Sequence, residues 1–97
     1  MMAACDKIQE EEMQKEFSHC TARLNKDYIL TVEEGVEDID AATCDLMDNM
    51  VTACGDIWRS CHNLEEVDRM RAMFVEHLVT RNPNSNIDQC ESIKRFR

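Results

Sequence analysis

The chain has little of what interrupts a helix. Its 97 residues include two glycines and one proline, so turns are few and each is informative. Aromatic residues make up 5%, and the core must be built from Leu, Ile, Val, Met and half-cystines instead of large rings. No apolar run approaches the ~20 residues of a membrane span. A glycine-rich phosphate loop, a Gly-x-Ser-x-Gly elbow and a His-Glu-x-x-His helix are all missing, which removes the usual nucleotide, serine-hydrolase and zinc-protease signatures. There is no Cys-x-x-Cys pair and no internal repeat. Even the Asn-rich turn Asn82-Pro83-Asn84-Ser85-Asn86 never places Ser or Thr two residues after Asn, so it offers no glycosylation acceptor.

Positive charge is also scarce. Twenty acidic against eleven basic residues give a net charge of -9. Such a field repels phosphate backbones and anionic lipid, which disfavours nucleic acid and membrane surfaces and favours a cationic partner. An acidic surface also serves solubility alone.

The residue in excess is cysteine. Cys5, Cys20, Cys44, Cys54, Cys61 and Cys90 run from one end of the chain to the other. An even count at wide spacing in a short chain reads as a disulfide framework in an oxidising compartment, not as a metal knuckle or a redox motif. The expectation is a secreted protein. The mitochondrial intermembrane space is the alternative: Cys44 and Cys54 enclose nine residues, as in its twin-Cys-x9-Cys hairpins, whereas Cys5 and Cys20 enclose fourteen. The start, Met1-Met2-Ala3-Ala4-Cys5, has no hydrophobic signal region, so paired cysteines imply a leader already removed. A chain of this length is expected to form one domain, residues 1–97, whose core alone leaves ~3–5 kcal/mol of stability. Each native crosslink adds ~2–4 kcal/mol by restricting the unfolded chain.

Gly35 and Pro83 divide the chain into helical segments expected near 6–34, 38–61, 64–81 and 87–96. In the first, Met13, Phe17, Cys20, Leu24 and Tyr28 fall at spacings of four, three, four and four, one stripe of a helix. Cys5 and Ile8 lie off that stripe, so the first turns are expected to bend or form a separate piece. From Tyr28 to Val32 apolar groups point all round, a stretch either covered by another element or exposed as a contact patch. Gly35 is suited to cap the end. The second segment, opened by Asp38 or Asp40, has a broad apolar face of Val36, Ile39, Leu46, Met47, Met50, Val51, Cys54, Ile57 and Trp58. Gly55 inside it costs roughly 1 kcal/mol relative to Ala and is read as a close approach by another backbone. Asn63 and Glu66 stand at capping-box spacing before a third stripe of Val67, Met70, Phe74 and Leu78. A last short helix turns Cys90, Ile93 and Phe96 inward. The fold expected is all-α: a disulfide-stapled three-helix up-down-up bundle with a short C-terminal helix.

Register narrows the fifteen complete pairings of six cysteines. In two antiparallel helices turning at Gly35, residues equally far from the turn lie side by side. Cys20 is fifteen before it and Cys54 nineteen after; Cys5 is thirty before and Cys61 twenty-six after. Both miss by four residues, one turn or ~6 Å. Cys44 and Cys90 then form the third pair. Cys5–Cys61, Cys20–Cys54 and Cys44–Cys90 are therefore the bridges expected.

The stretch Cys54-Gly-Asp-Ile-Trp-Arg-Ser-Cys61-His-Asn-Leu-Glu-Glu-Val-Asp-Arg, with the later Cys90, resembles the second half of the extracellular domain of receptor-activity-modifying proteins. Those carry six cysteines on three helices, and Glu66-Val67-Asp68-Arg69 is similar to one member. The spacing from Cys20 through Cys90 is equally similar to the N-terminal helical domain of repulsive guidance molecules. The resemblance implies an extracellular helical module that binds other proteins.

Chemistry beyond binding finds little support. His19, His62 and His77 adjoin cysteines or helix faces, but crosslinked cysteines offer no thiolate. Cys44, Cys54, Cys61 and His62 are too widely spaced for a zinc knuckle. Glu33, Glu34, Glu37, Asp38 and Asp40 lack the alternation of a calcium loop. No catalytic residue, metal or cofactor is expected, and the chain is read as a binding protein, not an enzyme. Its partner-binding candidates are Tyr28, Ile29, Leu30 and Val32. The alternative is a carrier of a small hydrophobic ligand, with Met47, Met50, Met70 and Met73 lining a cavity of ~300 Å³.

Peptide mapping without reductant is expected to return three linked pairs. Six alkylated thiols in untreated protein would overturn both the compartment and the bundle layout.

Overall fold

The computed structural model describes residues 5–84 and 86–97. Met1–Ala4 and Ser85, which belong to the opening and the Asn-rich turn discussed above, lie outside the described residues. Four α-helices follow in order: α1 (Lys7–Glu34), α2 (Ile39–Asn49), α3 (Leu64–Arg81) and α4 (Glu91–Phe96). Between α2 and α3 the helical path continues through a π turn, Met50–Cys54, and a 3₁₀ stretch, Gly55–Ser60; a second 3₁₀ turn, Ile87–Gln89, leads into α4. The fold is all-α and stapled by disulfides. Among the described residues no helix is long and apolar enough to cross a membrane.

α1 is one unbroken rod, not the bent or divided segment expected from Cys5 and Ile8. Asp6 starts it with a capping box: its carboxylate accepts from the Gln9 N–H at 2.8 Å, and the Gln9 side chain accepts from the Asp6 N–H at 2.9 Å. Two otherwise orphaned donors are satisfied at once. Cys5 is left just outside the helix, free to turn toward Cys61, and Ile8 simply faces solvent. At the other end Gly35 donates to the carbonyls of Thr31 and Val32 with φ of 107°, a conformation that residues with a Cβ avoid. Asp38 then caps α2 by accepting from the Ala41 N–H at 3.1 Å.

The 39–60 path is the middle of the molecule. α1 packs along one side of it, and α3 and α4 along the other. α1 and α3 meet where the Phe17 ring stands edge-on to Phe74, with centroids 5.1 Å apart. Two apolar clusters result. One gathers Leu46, Met47, Met50, Val51, Val75, Leu78, Ile87, Cys90 and Ile93 around the α2 end. The other joins Met13, Trp58, Cys61 and Val67 at the far end. Val75 is fully buried although it lies beside the stripe read from sequence, and Ile39, placed on the inner face of the second segment, is 46% exposed. Disulfides join Cys5 to Cys61, Cys20 to Cys54 and Cys44 to Cys90, with Cα–Cα distances of 5.3, 5.7 and 5.0 Å. Asp48 ties α4 to α2 further, its carboxylate accepting from the Ser92 N–H at 2.9 Å, where Cys90 provides no side-chain cap.

The expected continuous helix 38–61 changes winding after Asn49, and Arg71 of α3 fills the place where it does. Its Nε donates to the Val51 carbonyl and its Nη2 to the Thr52 carbonyl, both at 3.1 Å. The same guanidinium reaches the carboxylates of Asp56 at 2.6 Å and Asp68 at 3.2 Å. The side chain is only 11% exposed, and a buried charge in that position needs such partners. Gly55 makes room for it. A Cβ at position 55 stands 2.7 Å from Arg71 Nε and 3.1 Å from Cγ. The close approach at Gly55 is thus by a side chain, not by a backbone.

Gly55→Ala displaces a guanidinium with four partners and is expected to destabilise the oxidised protein by ~1–3 kcal/mol in urea unfolding. In an Arg71→Ala background the same change is expected to be neutral or stabilising by up to ~1 kcal/mol, because only helix propensity remains. Additive costs in that double-mutant cycle would remove the clamp.

Candidate functional site

The last turns of α1, the Gly35 corner and the first turns of α2 form one end of the molecule. Tyr28 faces inward and is half-buried, and its hydroxyl is 2.8 Å from the Thr43 hydroxyl on α2. Val32 is half-buried as well. Ile29 and Leu30 point the other way and are 47% and 49% exposed. The four residues singled out from sequence therefore divide into two anchors and two surface groups, because α1 has a neighbour on one side only here. Ile39 adds a third exposed apolar side chain across the corner.

A groove of about 220 Å³ runs between α1 and α2 at this end. Its walls come from Leu24, Asp27, Tyr28 and Thr31 on α1 and from Ala42, Asp45, Leu46 and Asn49 on α2. Each set steps by three, one and three residues, the signature of one helix face. Leu24, Tyr28 and Leu46 give it an apolar floor, and Asp27 and Asp45 are exposed on its rims. Sequence reading missed this groove. Leu24, Tyr28 and Leu46 were recognised as apolar stripe residues, but nothing in periodicity says which flank of a helix pair a third helix leaves open.

The electrostatics of this end are one-sided. From Asp27 to Asp48 there are eight carboxylates and no Lys, Arg or His. The ion pairs among the described residues all lie elsewhere: His62 with Glu10 and Glu66, Arg69 with Glu65, Arg71 with Asp56 and Asp68, Arg97 with Glu76 and Asp88. Two of the eight have structural duties, Asp38 as a cap and Asp48 on α4.

The other chemistry weighed in the sequence is placed apart. Cys44, Cys54 and Cys61 each spend their sulfur in a bridge, so the set they make with His62 has no thiolate to offer a metal. His19 and His77 are exposed on different helices. Met47 and Met50 are core residues, Met70 is half-buried against the far cluster, and Met73 is 73% exposed, so the four line no common cavity. The space beside Met70, enclosed with Phe17, Val51 and Trp58, holds about 10 Å³. That is room for no more than a single water.

No protein-family model, curated protein or solved structure matches the chain. The site is accordingly judged on its own chemistry.

If Ile29 and Leu30 serve the surface and not the fold, replacing both with Ser is expected to move the melting temperature by no more than about 4 °C. Tyr28→Phe, which breaks the bond to Thr43, is expected to cost ~1 kcal/mol. Thermal unfolding under non-reducing conditions compares the two, and a larger loss from the Ser pair would make those residues part of the core.

Proposed function

We propose that this chain is a secreted, disulfide-stapled helical module that acts by binding a protein partner, as an extracellular signal, a toxin-like effector or a receptor-binding domain. The observation that carries this reading is the exposed pair Ile29 and Leu30 on a helix that the Cys20–Cys54 bridge ties to the central path. The two stand next to one another in sequence with Ile39 at the same corner, so apolar surface is available there to a partner. Fixing them on a crosslinked helix lowers the ordering cost that a partner would otherwise meet.

Three disulfides favour an oxidising compartment, extracellular in the first instance and the mitochondrial intermembrane space otherwise. The resemblance in cysteine order to receptor-activity-modifying proteins and repulsive guidance molecules belongs to the same proposal, since both are extracellular modules that bind proteins. Carriage of an apolar small molecule has less in its favour, because the interior between the Met-bearing helices is filled.

A photoreactive leucine analogue at position 30, with one at the exposed polar position 12 as control, tests the reading on the surface of intact cells. A discrete adduct is expected from position 30 alone. Unlabelled native protein should compete it away, and the Ile29→Ser, Leu30→Ser variant should not. Absence of any competable adduct at position 30 would remove this surface as a binding site.

A further inference from the structure

Resting on the protein-binding reading above, we infer that the partner presents a cationic amphipathic helix, seated in the groove between α1 and α2. A helix laid in a groove offers apolar anchors at intervals of three and four residues. The groove is built to that pattern: Leu24 and Tyr28 on one wall and Leu46 on the other give an apolar floor with room for one large side chain, in a volume of about 220 Å³. Here the bundle lacks a helix. α4 and the 87–89 turn pack against α2 elsewhere, and none of the described elements lines this groove besides α1 and α2.

The rims specify charge. Asp27 stands on the α1 edge and Asp45 on the α2 edge, both exposed. Neither has an ion-pair partner among the described residues, although Arg23 and Lys26 precede Asp27 on the same helix. The stretch that follows, from Glu33 to Asp40, supplies five more carboxylates and no cation. An apolar strip between two rows of negative charge complements a helix with one apolar face and Lys or Arg on both flanks.

Two other occupants fit poorly. A second copy would bring its own acidic rim against this one at a net charge of -9 per chain. The chain's own basic end is already engaged on the far side of α2, where Arg97 pairs with Glu76 and Asp88 and Arg95 lies 5.1 Å from the Phe96 ring centre.

The probe is a synthetic peptide of about 18 residues, five helical turns, with leucines on one face and lysines on the other. Two controls accompany it, a scrambled peptide of equal charge and one with Glu for Lys. Binding to the oxidised protein is followed by fluorescence anisotropy. The Leu/Lys peptide is expected to bind at least tenfold more tightly than the scramble, and the Glu peptide not to bind. Asp27→Asn with Asp45→Asn should weaken it by about tenfold, as for close charge pairs across an interface. Removing the same charge at Glu11→Gln with Glu12→Gln should change it less than about twofold, by screening alone. Equal losses from the two double variants, or equal affinity for the scramble, would reduce the binding to bulk charge and overturn the proposal. If the position-30 adduct forms but the peptide fails these comparisons, the cationic helix is wrong and the protein-binding reading stands.

Discussion

Every disulfide in this chain has one end on the same stretch. Cys44 and Cys54 lie along the central path and Cys61 caps its end, and their partners are Cys5 and Cys20 before it and Cys90 after it. The central path is therefore a covalent spine to which both flanking layers are fastened. The loops closed span 56, 34 and 46 residues, long enough that each bridge restricts the unfolded chain by ~4 kcal/mol in the chain-entropy account. With two apolar clusters instead of one, neither large, that restriction matters as much as packing.

The spine faces two ways, and it does so without keeping one winding. Cys44 has to meet α4 while Cys54 and Cys61 have to meet α1. A π turn followed by a 3₁₀ stretch first delays and then advances the rotation of side chains relative to 3.6 residues per turn. Beside the irregular turn, Arg71 donates to the carbonyls of Val51 and Thr52 across the interface. Arginine suits the position because one planar group can serve several acceptors at once while staying charged. Asp56 and Asp68 hold it in return. The absence of a Cβ at Gly55 is thus one part of an arrangement whose other part lies sixteen residues later in sequence.

This distance separates what the chain discloses from what it conceals. The helices were legible because Gly35 and Pro83 are rare punctuation and the stripes of α1 and α3 keep one period. The cysteine pairs were legible because two antiparallel helices leave few residues opposite one another, and a one-turn error is small enough for a helix start to absorb. The irregular winding of 50–60 was not, since Gly55 alone does not specify a change of winding and the contact that accompanies it, Arg71, comes from another element. Val75 and Ile39 show the same limit. Whether a side chain beside the stripe is covered depends on which flank receives the next helix. Of the stretch from Tyr28 to Val32, sequence disclosed that it is apolar all round; only the position of α2 divides it into half-buried Tyr28 and Val32 and exposed Ile29 and Leu30.

Charge tells the rest of the story, because its distribution has no folding explanation. Around the far cluster acids have a cationic partner: Asp56 and Asp68 are held by Arg71. At the corner eight carboxylates stand within a stretch of 22 residues without one cation in it, and only Asp38 and Asp48 make bonds that hold the fold. Mutual repulsion there opposes compaction, and solubility alone does not require it, since the chain is acidic overall and any surface would serve. Apolar side chains exposed at the same corner run against solubility. A cationic helix in the groove, as proposed above, would relieve the first of these; Ile29 and Leu30 point away from the groove and would need a contact of their own. The bridges make such a corner tolerable, because a spine stapled on both sides can carry a strained electrostatic end without unfolding it.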